Sequence, residues 1–306
     1  MLNDNMKYDK INGKVAFLEG PHKYFNVDDE SIQYTSVTTL IGKYEQPFDK
    51  EFVLKYKALE KLIPSDIWKK EKGTIWKNHK IPKDFLEVYD INETELNKIQ
   101  QNILDEWTEI NRESCERGTK IHSALENAFY KAGDAVNLQK FGIGGKFICK
   151  KNYSELDLEY GVYPEYLIYY DSPTADLHIA GQIDLLIKNG NNLIIGDHKT
   201  NRKIDFKSFY DSGTRSTKKM KYPLGNLDDC NFQHYSLQLS TYAWMLQKIN
   251  PNFKIERLFI NHYDHEGHNN IYDVKYLKDE VEKMLKHFAK QNKLEKQRQK
   301  YERIEY

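Results

Sequence analysis

Two short apolar runs rich in β-branched residues, Ala180 to Lys188 and Asn192 to Lys199, stand out in the hydrophobic pattern. Asn189-Gly190 between them predicts a tight hairpin, because the central residues of a type I′ turn need φ > 0. Side chains alternate faces with period two, so Asp184 shares a face with Ile195, Asp197 and Lys199. A two-residue turn at Asn189-Gly190 sets Asp184 opposite Ile195. A four-residue turn keeps the same parity and sets it opposite Asp197. Either way two carboxylates and an ammonium converge on one face.

The flanking pattern supplies further elements. Tyr160 to Tyr170 reads as a strand with Glu165 in its middle, and Pro164 points to a sheet edge. Lys254 to Tyr263 is the expected last strand. Near the N-terminus, Val15 to Leu18 and His22 to Val27 flank a turn at Glu19-Gly20-Pro21, and Ser36 caps a helix starting at Val37. Residues 48 to 110 read as a mostly helical lobe, a wall of a substrate channel, broken at Pro64, Gly73 and Pro82. Within it Asn92-Glu93-Thr94-Glu95 opens a helix with Leu96, Ile99, Ile103, Leu104 and Trp107 at helical spacing. A further helix around Ala124, Leu125, Ala128 and Phe129 places His122 and Glu126 on one face at i, i+4. Gly118 sits at its expected start, where a backbone or phosphate could come close. Gly133 to Lys151 reads as a loop or short helix, Phe232 to Lys248 as a helix, and 276 to 300 as a long helix with a basic end. The expected divisions are residues 1–110, 111–275 and 276–306.

Composition narrows the function classes. A chain of 306 residues makes one large domain or a core with an appended lobe. Its 46 basic and 46 acidic residues cancel, so any basic surface must be local. Cys115, Cys149 and Cys230 form no C-x-x-C pair, which excludes a recognisable zinc or iron–sulfur motif and suits reduced thiols in the cytoplasm. Runs long and apolar enough to span a membrane are absent, and the first residues lack a signal peptide's apolar core.

The hairpin carries the candidate chemistry. Two carboxylates about 5 Å apart repel by roughly 3 kcal/mol at an effective dielectric near 20. A hard divalent cation, Mg²⁺ or Mn²⁺, removes that repulsion, activates water and neutralises a phosphorane-like transition state. Lys199 then orients the water or stabilises developing charge. A plain surface Asp–Lys pair is the alternative, but the apolar flanks imply burial, and unpartnered buried carboxylates are expensive. From Asn201 to Tyr222 the chain has seven basic residues, Arg202, Lys203, Lys207, Arg215, Lys218, Lys219 and Lys221, against two acidic ones. Phe206, Phe209, Tyr210 and Tyr222 interleave with them, as in single-strand channels where cations meet phosphates and rings stack on bases. Gln238 and Tyr242 share a helix face at i, i+4.

Gly181-Gln182-Ile183-Asp184 followed by Ile195-Gly196-Asp197-His198-Lys199-Thr200 resembles the active-site hairpin of the PD-(D/E)XK nuclease superfamily, with Ile183 in place of the proline. Arg117-Gly118-Thr119 with His122 and Glu126 looks like the helix that precedes this hairpin in the RecB-like branch. Gln238 and Tyr242 resemble its Q-x-x-x-Y motif, and Tyr34 to Leu40 resembles a segment of phage exonucleases and the mitochondrial genome maintenance exonuclease. The resemblance covers about residues 112 to 263. It implies an α/β (α+β) core, a mixed central sheet flanked by helices, joined to the N-terminal helical lobe. It also implies a metal held by His122, Asp184, Asp197 and the His198 carbonyl, with Glu126 orienting His122. Lys199 and Glu165 join the catalytic set, while Gln238, Tyr242 and the basic segment, chiefly Arg202, Lys203, Arg215, Lys218, Lys219 and Lys221, position DNA. The implied activity is Mg²⁺- or Mn²⁺-dependent exonucleolytic cleavage of single-stranded or frayed DNA ends, with no membrane partner. A DNA-binding or assembly protein with a vestigial site is the alternative, as is an endonucleolytic or CRISPR-adaptation relative.

Overall fold

In a computed structural model, which describes residues 6–8, 13–18, 21, 23–29, 31–150, 158–211 and 216–302, the alternating runs become one nine-stranded sheet. It begins with an antiparallel meander of β1 (Met6–Tyr8), β2 (Val15–Leu18), β3 (Lys23–Asn26) and β4 (Gln33–Ser36). Glu19, Gly20 and His22, expected in its first turn and second strand, lie outside the described residues. Then come β5 (Gly161–Ser172), β6 (Leu177–Asn189), β7 (Asn192–Lys199), β8 (Lys254–Tyr263) and β9 (Asn269–Val274). The order across the sheet is β1-β2-β3-β4-β6-β7-β8-β9, with β5 antiparallel along the other edge of β6. The β4–β6 and β7–β8 pairs are parallel. The fold is therefore a mixed α/β sheet flanked by helices.

The helices are α1 (Val37–Gly42), α2 (Lys50–Leu62), α3 (Ser65–Asn78), α4 (Phe85–Val88), α5 (Glu93–Ala132), α6 (Asn231–Ile249) and α7 (Lys278–Glu302). Ser36 caps α1 as expected, its Oγ accepting from Thr39 N–H at 3.0 Å. Strand β7 is buried from Leu193 to His198, the pattern of a strand covered on both faces. On one face Ile195 and Leu193 pack with α1, α6 and α7 through Leu40, Leu237, Ala243 and Met284. On the other, Ile194 packs with Phe129, Leu138, Phe141 and Phe259.

The chain divides into two units, one of residues 1–46, 120–210 and 217–306, the other of 47–119 and 211–216. The second has its own core of Leu59, Trp68, Ile75, Phe85, Leu96 and Ile103.

Several sequence expectations need correction. Gly73 does not break a helix but lies inside α3; an interior glycine costs about 1 kcal/mol relative to alanine, which a packed helix tolerates. Asn92 Oδ1 caps the expected helix by accepting from Thr94 N–H at 2.8 Å. That helix then continues to Ala132, because no proline interrupts it, so Gly118 is a helix-interior residue rather than a start. Gly133 to Lys150 forms two 3-10 turns and a two-residue strand pair. Strand β9 follows β8 and pairs antiparallel with it, so Lys254 to Tyr263 is not the last strand.

Candidate active site

The hairpin closes with Asn189 opposite Asn192 and Leu185 opposite Gly196. Its loop is Gly190-Asn191, one residue later than the Asn189-Gly190 turn expected. Gly190 takes a φ of 61°, at the position where a type II′ turn needs glycine. Continued by one step, the register sets Asp184 opposite Asp197, the alternative in which the carboxylates face each other directly. The ladder stops there. On the same edge of β6, β4 pairs only with Ile179 and Ala180. Gly181 to Asp184 thus occupy a fork between β4 and β7.

Strict alternation breaks at this fork. Ile183 and Leu186, three residues apart, line one core, while Leu185 and Ile187 line the other. In the partner strand Tyr163 and Tyr166 do the same around Glu165, whose φ of 51° is left-handed. Such a conformation is uncommon for a non-glycine residue and costs on the order of 1–3 kcal/mol. The matched slip in β5 and β6 turns Glu165 and Asp184 toward one place. Pro164 did point to a strand outside the main order, but Glu165 faces His122 rather than open water.

His122, on α5, meets both carboxylates. Its Nδ1 lies 3.4 Å from Glu165 Oε1 and 3.7 Å from Asp184 Oδ2. Its Nε2 lies 3.0 Å from the His198 carbonyl. Ionised carboxylates and a carbonyl only accept, so this surround favours a ring that donates from both nitrogens, the imidazolium form. Burial opposes that charge, yet Glu165, Asp184 and Asp197 together raise the His122 pKa to about 9. Glu126, expected to orient this ring, makes no hydrogen bond to it; Glu165, brought in by the sheet, takes that place. The His198 N–H donates to Asp184 Oδ2 at 2.7 Å, so the backbone of one residue serves the site with both its N–H and its carbonyl.

Asp197 is only 2% exposed. Its Oδ2 lies 2.6 Å from Lys199 Nζ, and its Oδ1 accepts from Gln238 Nε2 at 3.2 Å. Burial raises its pKa to about 6 against the pull of Lys199, with Asp184 adding to the rise. Burial also raises Asp184, together with Glu165, against His122 and Lys199. Burial opposes the Lys199 charge, but Asp197 and Asp184 outweigh it and hold the ammonium protonated. Lys199 donates to Gln238 Oε1 at 3.3 Å and rests 4.7 Å from the centre of the Tyr235 ring. Gln238 also donates to the Tyr242 hydroxyl at 3.4 Å. A Cβ at Gly181 would lie 2.6 Å from Tyr242 Cε1, so that glycine makes room for the helix carrying both residues.

The structure thus brings together His122, Glu165, Asp184, the His198 peptide, Asp197, Lys199, Gln238 and Tyr242. It treats the basic segment differently. Lys203 pairs with Asp205 at 2.8 Å and Lys219 with Asp228 at 2.6 Å. Arg202, Lys218 and Lys221 are exposed, and Arg215 lies outside the described residues. Two residues went unread in the sequence. Tyr235 precedes Gln238 by three positions and shares its helix face, a signal that was present. Asn261, fully buried on β8, approaches His198 Nδ1 with its Nδ2 at 2.9 Å. No spacing in the sequence marks it. Its partner imidazole is held neutral, its pKa pushed down to about 3 by burial with help from His122, Lys140 and Lys199.

The donor set suits a divalent cation. His122, Glu165 and Asp184 offer ligand atoms all within 4.8 Å of one another. With all groups ionised, three carboxylates face two cations, and with neutral His122 only one, so net negative charge remains. An imidazole nitrogen with carboxylate and carbonyl oxygens fits Mn²⁺ or Mg²⁺. A second cluster, Asp264, Glu266 and His268, sits on the β8–β9 turn.

No family model and no curated protein matches the chain. Among solved structures it is similar to SSO0001, at 17% identity and a TM-score of 0.34, over 61% of this chain and 63% of that one. The chain thus spans less than two thirds of that protein's length. It is also similar to a Eubacterium rectale protein described as "Putative exonuclease", at 11% identity and a TM-score of 0.30, over 86% of this chain and 79% of that one. Likenesses this distant do not bear on the chemistry. No helix among the described residues is long and apolar enough to cross a membrane.

Proposed function

We propose that this chain is a metal-dependent deoxyribonuclease of the RecB-like branch of the PD-(D/E)XK superfamily, hydrolysing phosphodiester bonds at DNA ends. The observation that carries this reading is the meeting of His122 and Asp184 on the His198 backbone, beside the Asp197–Lys199 pair, at the β6–β7 fork. The order α5-β5-β6-β7-α6-β8 is the core order that the hairpin motif implies. His122 Nε2, Asp184, Asp197 and the His198 carbonyl would hold the cation, with Glu165 beside them. When bound, such an ion supplies positive charge to the phosphoryl oxygens and acidifies water.

The protein groups divide the remaining work. Lys199 stays charged, so it donates rather than accepts; fixed by Asp197 and Gln238, it can hold the attacking water or a phosphoryl oxygen. Gln238 spans Lys199 and Asp197 and keeps them in register. Glu165 and Asp184 fix the His122 ring, and loss of its Nε2 proton frees a lone pair for the ion. Exposed Phe206, Phe209 and Tyr222 offer faces for bases, which favours sequence-independent binding of a strand.

Incubation of end-labelled linear and covalently closed single-stranded DNA of one sequence, with Mg²⁺ or Mn²⁺, tests this. The linear form should shorten to small products and the circle should resist. Cleavage of both forms would make the enzyme an endonuclease. Hydrolysis of neither by the unmodified protein, with either ion, refutes the reading.

A further inference from the structure

The whole chain is electrically neutral, yet from Lys283 to Lys300 it has seven basic residues and one acidic. This stretch belongs to α7. Lys296 pairs with Asp176, and Arg298 with Glu302. Lys283, Lys286, Lys290 and Lys293 have no carboxylate partner among the described residues, and all four are exposed. Their spacing of three, four and three residues stacks them along one side of the helix. Like charges so placed repel each other and work against the helix. The helix dipole compensates only in the last turn, which these four residues do not reach. Most acids of α7, Asp279, Glu280 and Glu282, stand before Lys283, whereas α5 intersperses its charges, as where Arg112 bridges Glu109 and Glu116.

Other groups flank this face. His287, one turn after Lys283, carries the ring of Tyr222 at 5.4 Å, edge to face. Tyr222 is 80% exposed. Lys43 Nζ sits 5.1 Å from the centre of the Phe288 ring, and Lys221 Nζ donates to the Lys43 carbonyl at 3.3 Å. The end of the basic segment, Lys221 and Tyr222, therefore lies beside α7.

We propose that the Lys283, Lys286, Lys290 and Lys293 face of α7, with Lys43, Lys221 and the Tyr222 ring, binds the phosphate backbone of a single-stranded nucleic acid. That the strand is DNA on its way to the β6–β7 fork rests on the function proposed above. Unpaired ammonium groups release counterions when they meet phosphates, and an exposed ring among them gives a base a stacking partner.

The test is fluorescence anisotropy with a labelled oligothymidylate of about 30 nucleotides, longer than typical single-strand site sizes, in EDTA across a salt series. The variant carries Lys283→Gln, Lys286→Gln, Lys290→Gln and Lys293→Gln, with helix content checked by circular dichroism. The log–log salt slope should shallow by about 0.7 for each lost phosphate contact, with roughly tenfold or greater loss of affinity. Tyr222→Ala should weaken binding without changing the slope. An unchanged slope in the lysine variant overturns the proposal. So does binding of the unmodified protein to phosphatidylserine vesicles but not to the oligonucleotide. If the unmodified protein binds the strand through this face yet hydrolyses no DNA with added metal, the nuclease reading falls and the binding surface stands.

Discussion

Gly181→Ala is a small change with a large expected effect. The added Cβ would lie 2.6 Å from Tyr242 Cε1, 2.8 Å from its hydroxyl and 3.1 Å from Cζ. Ordinary contact begins at 3.4 Å, so ring or strand must retreat by about 0.8 Å. Neither does so easily, since Tyr242 is 3% exposed and Ala180 and Ile183 are buried. Overpacking of this kind costs about 2 kcal/mol, or roughly 3 °C in Tm for a chain this size. Tyr242 is bonded to Gln238, and Gln238 to Asp197 and Lys199. A shift near 1 Å passed along that row lowers the cleavage rate by up to about a hundredfold. Gly73→Ala serves as the control. A Cβ there meets nothing within 4 Å, and the helix interior should gain about 0.5–1 kcal/mol. Differential scanning calorimetry and a single-turnover cleavage assay on both variants decide it. Equal Tm and equal rate for Gly181→Ala and the unmodified protein would show that the Tyr242 ring does not fill the space over Gly181.

Asp197→Ala should abolish cleavage and also destabilise the metal-free protein by about 3 kcal/mol, because it leaves the Lys199 ammonium buried without its counter-ion; urea denaturation in EDTA measures this, and unchanged or increased stability contradicts it. His122 gives a pH window. Its folded pKa, about 9, lies above the ordinary histidine value, so its stabilising contribution is complete below pH ~6.5 and is lost as pH rises through about 9, up to about 3 kcal/mol in all. Metal-free protein should therefore unfold at lower urea at pH 9 than at pH 6.5, and His122→Gln should remove most of that difference; the same slope in the variant rules His122 out as its source.

The hairpin was legible because its determinants are local. A turn dipeptide, β-branched runs and period-two parity all act within a few residues, and they placed Asp184, Asp197 and Lys199 on one face. The turn was misplaced by one residue, since either Asn189-Gly190 or Gly190-Asn191 can close it. What the sequence hid depends on distant pieces. Glu165 displaces Glu126 as the partner of His122 through a slip of the β5 pleat that no pattern encodes. Asn261 reaches His198 only through the β7–β8 register. The basic segment was over-read because Asp205 and Asp228 neutralise Lys203 and Lys219, and a count of charges does not show which of them pair. Asp197 was read as one of two repelling acids; its contact with Lys199 makes it half of an ion pair.

The bond between His122 and the His198 carbonyl also has a consequence for how the molecule acquires its site. The β6–β7 hairpin closes over two residues, an event of about microseconds. His122 must be brought to His198 across 76 residues, and loop-closure entropy makes such contacts late. During folding the paired acids therefore exist before their imidazole arrives. A nascent or partly unfolded chain can present Asp184 and Asp197 to solution while lacking the third side-chain ligand and the Glu165 that orients it. Tight cation binding then reports completed long-range assembly rather than a formed hairpin.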